Sequence, residues 1–219
     1  LAGFIFKSNS PSCGMKRIKI YNVKNVAARK GIGLFARAFI RHFPLLPVEE
    51  DGRLHDPVIR ENFVERLFAL FRWRAVLAEG AGLSALVAFH TRHQLQIMAH
   101  SNGHYQKMDR LIAEAEQIPL RDLYEQYGRN LMDGLRLKAT PKKNAHVLKR
   151  AVGCFKARFS AVEKAEMLEA IDLYRNTRTP LIVPITLINH YVRKYDPPYL
   201  KDQYYLKPHP VELLLRYHA

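Results

Sequence analysis

"LAGFIFKSNSPSCGM", Leu1–Met15, changes character at Lys7. The apolar run before it, centred on Phe4–Phe6, has the length of a buried strand. The residues after it, from Ser8 to Gly14, crowd Ser, Asn, Pro and Gly around Cys13 and so predict a turn. A strand closed by such a turn presents side chains at the C-terminal edge of a sheet, and the stretch therefore predicts an α/β layer at the start of the chain. Cys13 can be a small hydrophobe packed in a tight turn, or a thiolate ligand or nucleophile at the sheet edge. The turn alone leaves both readings open.

Working outward, "IKIYNV" (Ile18–Val23) alternates like a half-buried strand and "GLFARAFIRHF" (Gly33–Phe43) has helical spacing. "PLLPVEEDGRL" (Pro44–Leu54) reads as a short strand and a Gly turn, and Asp56 with Pro57 supplies an N-cap and first-turn pair for the next helix. That helix places Val58, Phe63 or Leu67, and Leu70 on one face and ends at Gly80 or Gly82. Beyond Leu83 the chain reads as helices joined by short turns, with Ser84 and Ser160 as N-caps. Ser160 and Glu163 form a capping-box pattern ahead of the stripe Leu168, Ile171 and Tyr174. Further helices are expected over Tyr105–Glu116, Leu120–Leu137, Ala145–Phe159 and Pro184–Lys194, and an irregular tail from Asp196. The fold class is α+β: a short α/β, Rossmann-like part over residues 1–80, then an all-α domain over 81–219. Because the sequence opens without methionine and inside an apparent core strand, we expect it to derive from a longer natural protein.

Composition narrows the partners. The chain has 219 residues with 35 Lys and Arg against 20 Asp and Glu, a formal charge of +15. The charge is clustered: residues 1–48 hold no acid, and residues 129–158 hold nine Lys or Arg against Asp133 alone. Such stretches serve either as solvated basic faces or as nucleic-acid contacts, where phosphate neutralisation releases counterions. No apolar run approaches the ~20 residues needed to cross a bilayer, and two cysteines far apart make no disulfide framework, which suits a cytoplasmic, reducing compartment.

Besides the opening turn, two features carry possible chemistry. On the helix after Ser84, His90, His93, Ile97 and His100 share one face. Spacing of this kind can hold zinc, but the helix offers no further Cys, Asp or Glu ligand. The stripe then serves a polar pocket or an RNA backbone contact with Arg92, Ser101 and Tyr105, or it is ordinary packing. "RLKATPKKNAHVLKRAVGCFKAR", Arg136–Arg158, joins dense positive charge to a helix N-terminus, a setting that attracts phosphate. Arg136, Lys138, Lys142, Lys143, Lys149 and Arg150, with Arg92, His100 and Tyr105, are the candidate RNA contacts. Cys154, between Gly153 and Phe155, is expected to pack in the core. Walker, Rossmann-glycine, H-E-x-x-H and G-x-S-x-G motifs are absent.

"GFIFKSNSPSCG" closely resembles the Ser-Pro-Ser-Cys-Gly signature of TudS-like thiouracil desulfidases. "FHTRHQLQIMAHSNGHYQKM", "VLKRAVGCF" and "PLIVPITLINHY" resemble the YbgA-type helical domain, and together they resemble the fused RudS-type desulfidases of 4-thiouridine in tRNA. The resemblance implies a four-iron four-sulfur cluster held by three cysteines, whose unligated iron captures the thiocarbonyl sulfur while water replaces it and an acidic residue manages protons. By that match Cys13 is a cluster ligand and Ser10 an active-site hydroxyl. The substrate is then a thiolated uracil base and the partner is tRNA. The other two ligand cysteines and the catalytic carboxylate belong to a part of that domain not contained in this sequence, so this chain alone is not expected to assemble the cluster. Where the YbgA-type domain tends to show His-x-Asn-Val-Leu-x-His and Gly-Tyr-Phe, this sequence has Asn144, His146, Arg150 and Gly153-Cys154-Phe155. A non-enzymatic RNA-binding module and a small-molecule thiouracil desulfidase are the alternative functions.

Overall fold

The computed structural model describes residues 1–219 except 17, 22–26, 79, 81, 214 and 218–219, together with the side chains at 20, 21, 27–30, 211 and 217. The chain divides into two compact units, Leu1–Phe71 and Arg72–Ala219, and its class is α+β.

In the first unit, β1 (Phe4–Phe6) pairs in parallel with β4 (Val48–Glu50), with Phe4 opposite Val48 and Phe6 opposite Glu50. β2 (Ile18–Tyr21) and β3 (Ala27–Gly31) form a separate antiparallel pair, with Tyr21 opposite Ala27. Asn22 and Val23 of the expected strand lie outside the described residues. Between β3 and β4 runs α1 (Leu34–His42), whose Ala36 packs with Phe6 and Val48 in a small core. The Phe39 ring closes that core, with its centroid 4.5 Å from Phe4 and edge-on to Phe6 at 5.6 Å. A parallel pair needs a long crossover, and residues 7–47 supply it. A 3-10 turn, Asp51–His55, leads into α2 (Pro57–Ala78). Asp56 caps this helix as its sequence foretells, its Oδ1 accepting the amides of Val58 and Ile59 at 2.9 and 3.1 Å.

The second unit is helical: α3 (Leu83–His100), α4 (Asn102–Ala113), α5 (Leu120–Leu135), α6 (Pro141–Gly153), α7 (Ala161–Arg175), α8 (Ile182–Tyr195) and the single turn α9 (Pro198–Lys201). Here α3 is central, with buried residues on every side from Leu95 to His100, and so it lacks the polar face of a surface helix. Leu148, Ile171, Ile188 and Tyr205 represent the core around it. A second cluster stacks Trp73 on Tyr124 and Tyr127, with Phe89 edge-on. Between α6 and α7, Asn144 Nδ2 donates to the Tyr174 hydroxyl at 2.9 Å, and the Tyr205 hydroxyl donates to Asn144 Oδ1 at 3.0 Å.

Several expected boundaries move. Ser84 is not an N-cap: α3 begins at Leu83 behind Gly82, because no side chain caps that end. Ser160 does cap α7 in a full capping box with Glu163. The helix expected from Ala145 starts at Pro141, since Thr140 caps it and Pro fits a first-turn position whose amide has no intrahelical partner. It ends at Gly153, which leaves Cys154 exposed and turns Phe155 into the core. The expected core packing of Cys154 is therefore wrong.

The histidines of α3 are packing residues. His93 is wholly buried, and its Nδ1–H donates to the Phe89 carbonyl at 2.8 Å, which leaves Nε2 deprotonated. Burial pushes its pKa down to about 3. The unfolded chain takes up a proton there near pH 6.5, whereas the folded chain does not until about pH 3. This contribution to stability is complete above pH 6.5 and is lost as the pH falls, at about 1.4 kcal/mol per unit. Burial also lowers the pKa of His90, with Asp109 opposing. Urea unfolding should show the stability difference between pH 7 and pH 5 shrinking by about 2 kcal/mol in His93→Phe; an unchanged difference would remove His93 as the cause.

Candidate functional site

The turn after β1 is built by its own side chains. Asn9 takes a left-handed φ of 58°, which Asn tolerates, and reverses the chain. Ser10 Oγ accepts the Cys13 amide at 3.1 Å, and the Ser10 carbonyl accepts the Gly14 amide at 2.8 Å. Because Oγ is already an acceptor, the hydroxyl proton of Ser10 remains available to a substrate. The turn also caps α1: the Ser12 carbonyl accepts the Ala36 amide at 3.2 Å and the Gly14 carbonyl accepts the Gly33 amide at 2.8 Å. A Cβ on Gly33 would come 2.2 Å from the Ser12 oxygen, so only glycine permits this approach.

Acidic residues at and just after the end of β4 fix the turn from the other strand, and sequence reasoning did not single them out. Buried Glu50 accepts the Met15 amide at 2.6 Å through Oε1, and Glu49 pairs with Arg53 at 2.7 Å. Next to them, Asp51 Oδ1 accepts the Ser8 amide at 2.9 Å and Ser8 Oγ accepts the Gly52 amide at 3.1 Å. Hydrogen bonds from Ser8 hold the Asp51 carboxyl below its ordinary pKa. The available signal was position: Glu49 and Glu50 are the first acids of the chain and directly follow the apolar run Leu45-Leu46-Pro47-Val48. The loops after two parallel strands are thus laced together at their C-terminal ends, where open α/β sheets place ligands.

Ser10 and Cys13 are both half-buried at this edge. Cys13 packs against the Phe6, Ala36 and Val48 core. A cluster on three thiolates needs three cysteines. The chain has two, Cys13 and Cys154, and they lie in different units. Among the described residues, no three His, Cys, Asp or Glu side chains come together to hold a metal ion. The residues present do not fit a four-iron four-sulfur cluster, and we derive no step through one.

In the helical unit, Lys142, His146, Lys149 and Arg150 form an exposed stripe along α6 at helical spacing, opposite buried Asn144, Val147, Leu148 and Ala151. Lys138 is exposed just before the helix. Lys149 pairs with Asp172 at 2.9 Å and Arg136 with Asp133 at 3.3 Å, whereas Lys138, Lys142 and Arg150 have no acidic partner among the described residues. Lys143 is set apart: its Nζ donates to the carbonyls of His100 at 2.7 Å and Lys138 at 3.0 Å, so it ties the end of α3 to the start of α6. Arg150 approaches Tyr105, Cys154 and Tyr199 closely enough to oppose the burial that raises their pKa values, Tyr199 to about 12. Arg150 and half-buried Tyr105 therefore share one neighbourhood. His100 does not join them on the surface. It is 2% exposed and donates from Nδ1 to the Leu137 carbonyl, so burial withdraws it from direct RNA contact. Arg92 lines a different feature, a groove beside α8.

Comparison with known proteins matches both parts. Residues 94–210 match the family described as "Protein of unknown function (DUF1722)", and residues 1–51 match the family described as "2-thiouracil desulfurase". The "Uncharacterized protein YbgA" of Escherichia coli (strain K12) is 31% identical over 153 residues, covering 69% of this chain and 90% of the relative. No solved structure matches. No described helix is long and apolar enough to cross a membrane.

Proposed function

Because the chain belongs to the YbgA-like DUF1722 family and opens on a segment matching 2-thiouracil desulfurases, we propose that it serves the removal of sulfur from 4-thiouridine in tRNA. The Ser10–Cys13 turn supports this reading, since it brings a hydroxyl-bearing and a thiol-bearing residue into one turn at the C-terminal edge of the β1–β4 pair. Ser10 offers a proton to the base, and Cys13 would be one thiolate ligand of the iron–sulfur centre that the desulfidase resemblance implies, whose other ligands this chain does not contain. Lys138, Lys142 and Arg150 meet the RNA backbone, where each neutralised phosphate releases counterions. One observation favours a second reading, a non-enzymatic RNA-binding module: only one thiol lies in the first unit.

The test uses the natural protein that contains this chain, isolated anaerobically and given 4-thiouridine tRNA, with loss of thiocarbonyl absorption as the readout. Cys13→Ser is expected to lose iron and turnover together, and Ser10→Ala to keep iron and lose turnover. Full turnover in Cys13→Ser would overturn the ligand role. This chain by itself, reconstituted with iron and sulfide, is expected to gain no stoichiometric cluster; visible absorption with matching iron and sulfide content would refute that.

A further inference from the structure

Two cavities of about 510 Å³ each adjoin on the helical unit, sharing Asn189, Arg193, Leu206 and Lys207 as common lining. They differ in chemistry. The first gathers Arg92, Arg193, Lys201 and Lys207 against the carboxylates of Asp196 and Asp202. Lys201 and Asp196 neutralise each other at 2.9 Å, whereas Arg92, Arg193 and Lys207 are exposed and have no acidic partner among the described residues. The second is walled mainly by Ile182, Ile185, Leu206, Pro208, Pro210 and Leu215, with Thr186, His209, Glu212 and Arg216 completing its lining. At their junction stands half-buried Asn189, whose amide makes no hydrogen bond with the described residues and offers both donors and an acceptor.

The wall that carries Lys207 and Leu206 is held firmly. Gln203, buried, donates from Nε2 to the Thr91 carbonyl at 2.6 Å and accepts the Leu95 amide at 3.2 Å, and the Tyr204 amide donates to the Arg92 carbonyl at 2.9 Å. The Arg72 guanidinium lies 3.8 Å from the Tyr204 ring centroid and fixes the ring from the other side. The groove is therefore preformed by contacts between α3 and the tail, and each half has the size of an ordinary small-ligand site.

We propose that this groove binds one unpaired nucleotide of an RNA, with its phosphate among Arg92, Arg193 and Lys207, its base against Ile185, Leu206 and Pro208, and Asn189 reading the base edge. The proposal rests on the RNA-docking role given to the helical unit and adds a second contact to it, apart from the α6 stripe. A phosphate alone would need only the cationic half; the adjoining apolar half, of equal volume, selects a ligand with an aromatic body. A base stacked within a duplex cannot enter a cavity, so the groove favours single-stranded loops or ends.

The experiment measures binding of the whole chain to a short single-stranded oligouridylate and to an RNA duplex. It also photo-cross-links an oligonucleotide carrying one 4-thiouridine and maps the adduct. For Arg193→Glu with Lys207→Glu, single-strand affinity is expected to fall about tenfold or more, since two phosphate contacts are lost. Duplex affinity should change less than about twofold, because the α6 stripe is untouched. The adduct should map to residues 182–216, and Asn189→Ala should weaken oligouridylate more than an abasic oligonucleotide of equal length. Circular dichroism checks that the variants fold. Adducts elsewhere with unchanged single-strand affinity would overturn the groove while the docking role stands; absence of binding to either RNA by the unaltered chain would overturn both.

Discussion

Replacing Lys138, Lys142 and Arg150 together by Glu is expected to weaken tRNA binding by about 10²- to 10³-fold at 0.1 M salt and to flatten its log–log salt dependence by about two to three. These three cations are exposed and have no acidic partner among the described residues, so their charge is available to phosphate. Each contact contributes ~0.7–0.9 to the slope, which at 0.1 M corresponds to about five- to eightfold in affinity. Lys149 and Arg136 are left out because carboxylates already screen them. Lys143 is left out because its ammonium holds two backbone carbonyls, and its reversal would confuse binding with folding. Lys107→Glu with Arg121→Glu and Lys164→Glu applies the same change of charge on other helices. Equal losses in both triple variants would mean that total charge governs binding and that the α6 stripe has no special part.

Trp73→Ala is expected to destabilise the helical unit by about 3–5 kcal/mol, the cost of emptying a large aromatic site. The side chain is 2% exposed and stacks on Tyr124 and Tyr127 at centroid distances of 5.4 and 5.1 Å, with Phe89 at 5.2 Å. Thermal melts followed by circular dichroism should shift downward by about 10 °C or more, given roughly 2–4 °C per kcal/mol at this size. Gly128 gives an independent check, because a Cβ there would lie 2.8 Å from the indole Nε1. Gly128→Ala alone should cost about 1–3 kcal/mol through overpacking. In the Trp73→Ala background the clash is gone, and the same substitution should be neutral or stabilising by up to about 1 kcal/mol from helix propensity. Additive effects of the two changes would mean that the ring does not occupy this site.

Much of the helical order could be read from the sequence because caps and spacing are local. Asp56-Pro57 and Ser160 with Glu163 declare their helices through hydrogen bonds only two or three residues long. The misreadings are equally local in cause. The helix α6 was expected only from Ala145 because proline breaks helices in their interiors, yet Pro141 is tolerated at its start. β3, "AARKG", carries neither alternation nor β-branched residues, and its pairing with β2 supplies what its propensity lacks. The Ser-Pro-Ser-Cys-Gly turn was visible as a motif, but the Glu50 side chain that clamps it comes from 35 residues away. The groove was beyond sequence reasoning altogether, since Arg92, Arg193 and Lys207 have no periodic relation and meet only when the tail returns to α3.

That return also sets a schedule. The bonds that Gln203 makes to Thr91 and Leu95 join residues 112 and 108 positions apart, and Tyr205 reaches back 61 positions to Asn144. During synthesis α3 emerges long before its partner exists, so its Thr91 carbonyl and the side-chain oxygen of Asn144 wait for Gln203 and Tyr205. A nascent polypeptide released early would carry every helix through α8 and still lack the groove wall. The segment from Gln203 to Lys207 thus acts as a completion signal: the groove wall exists only once these residues have emerged and folded back on α3.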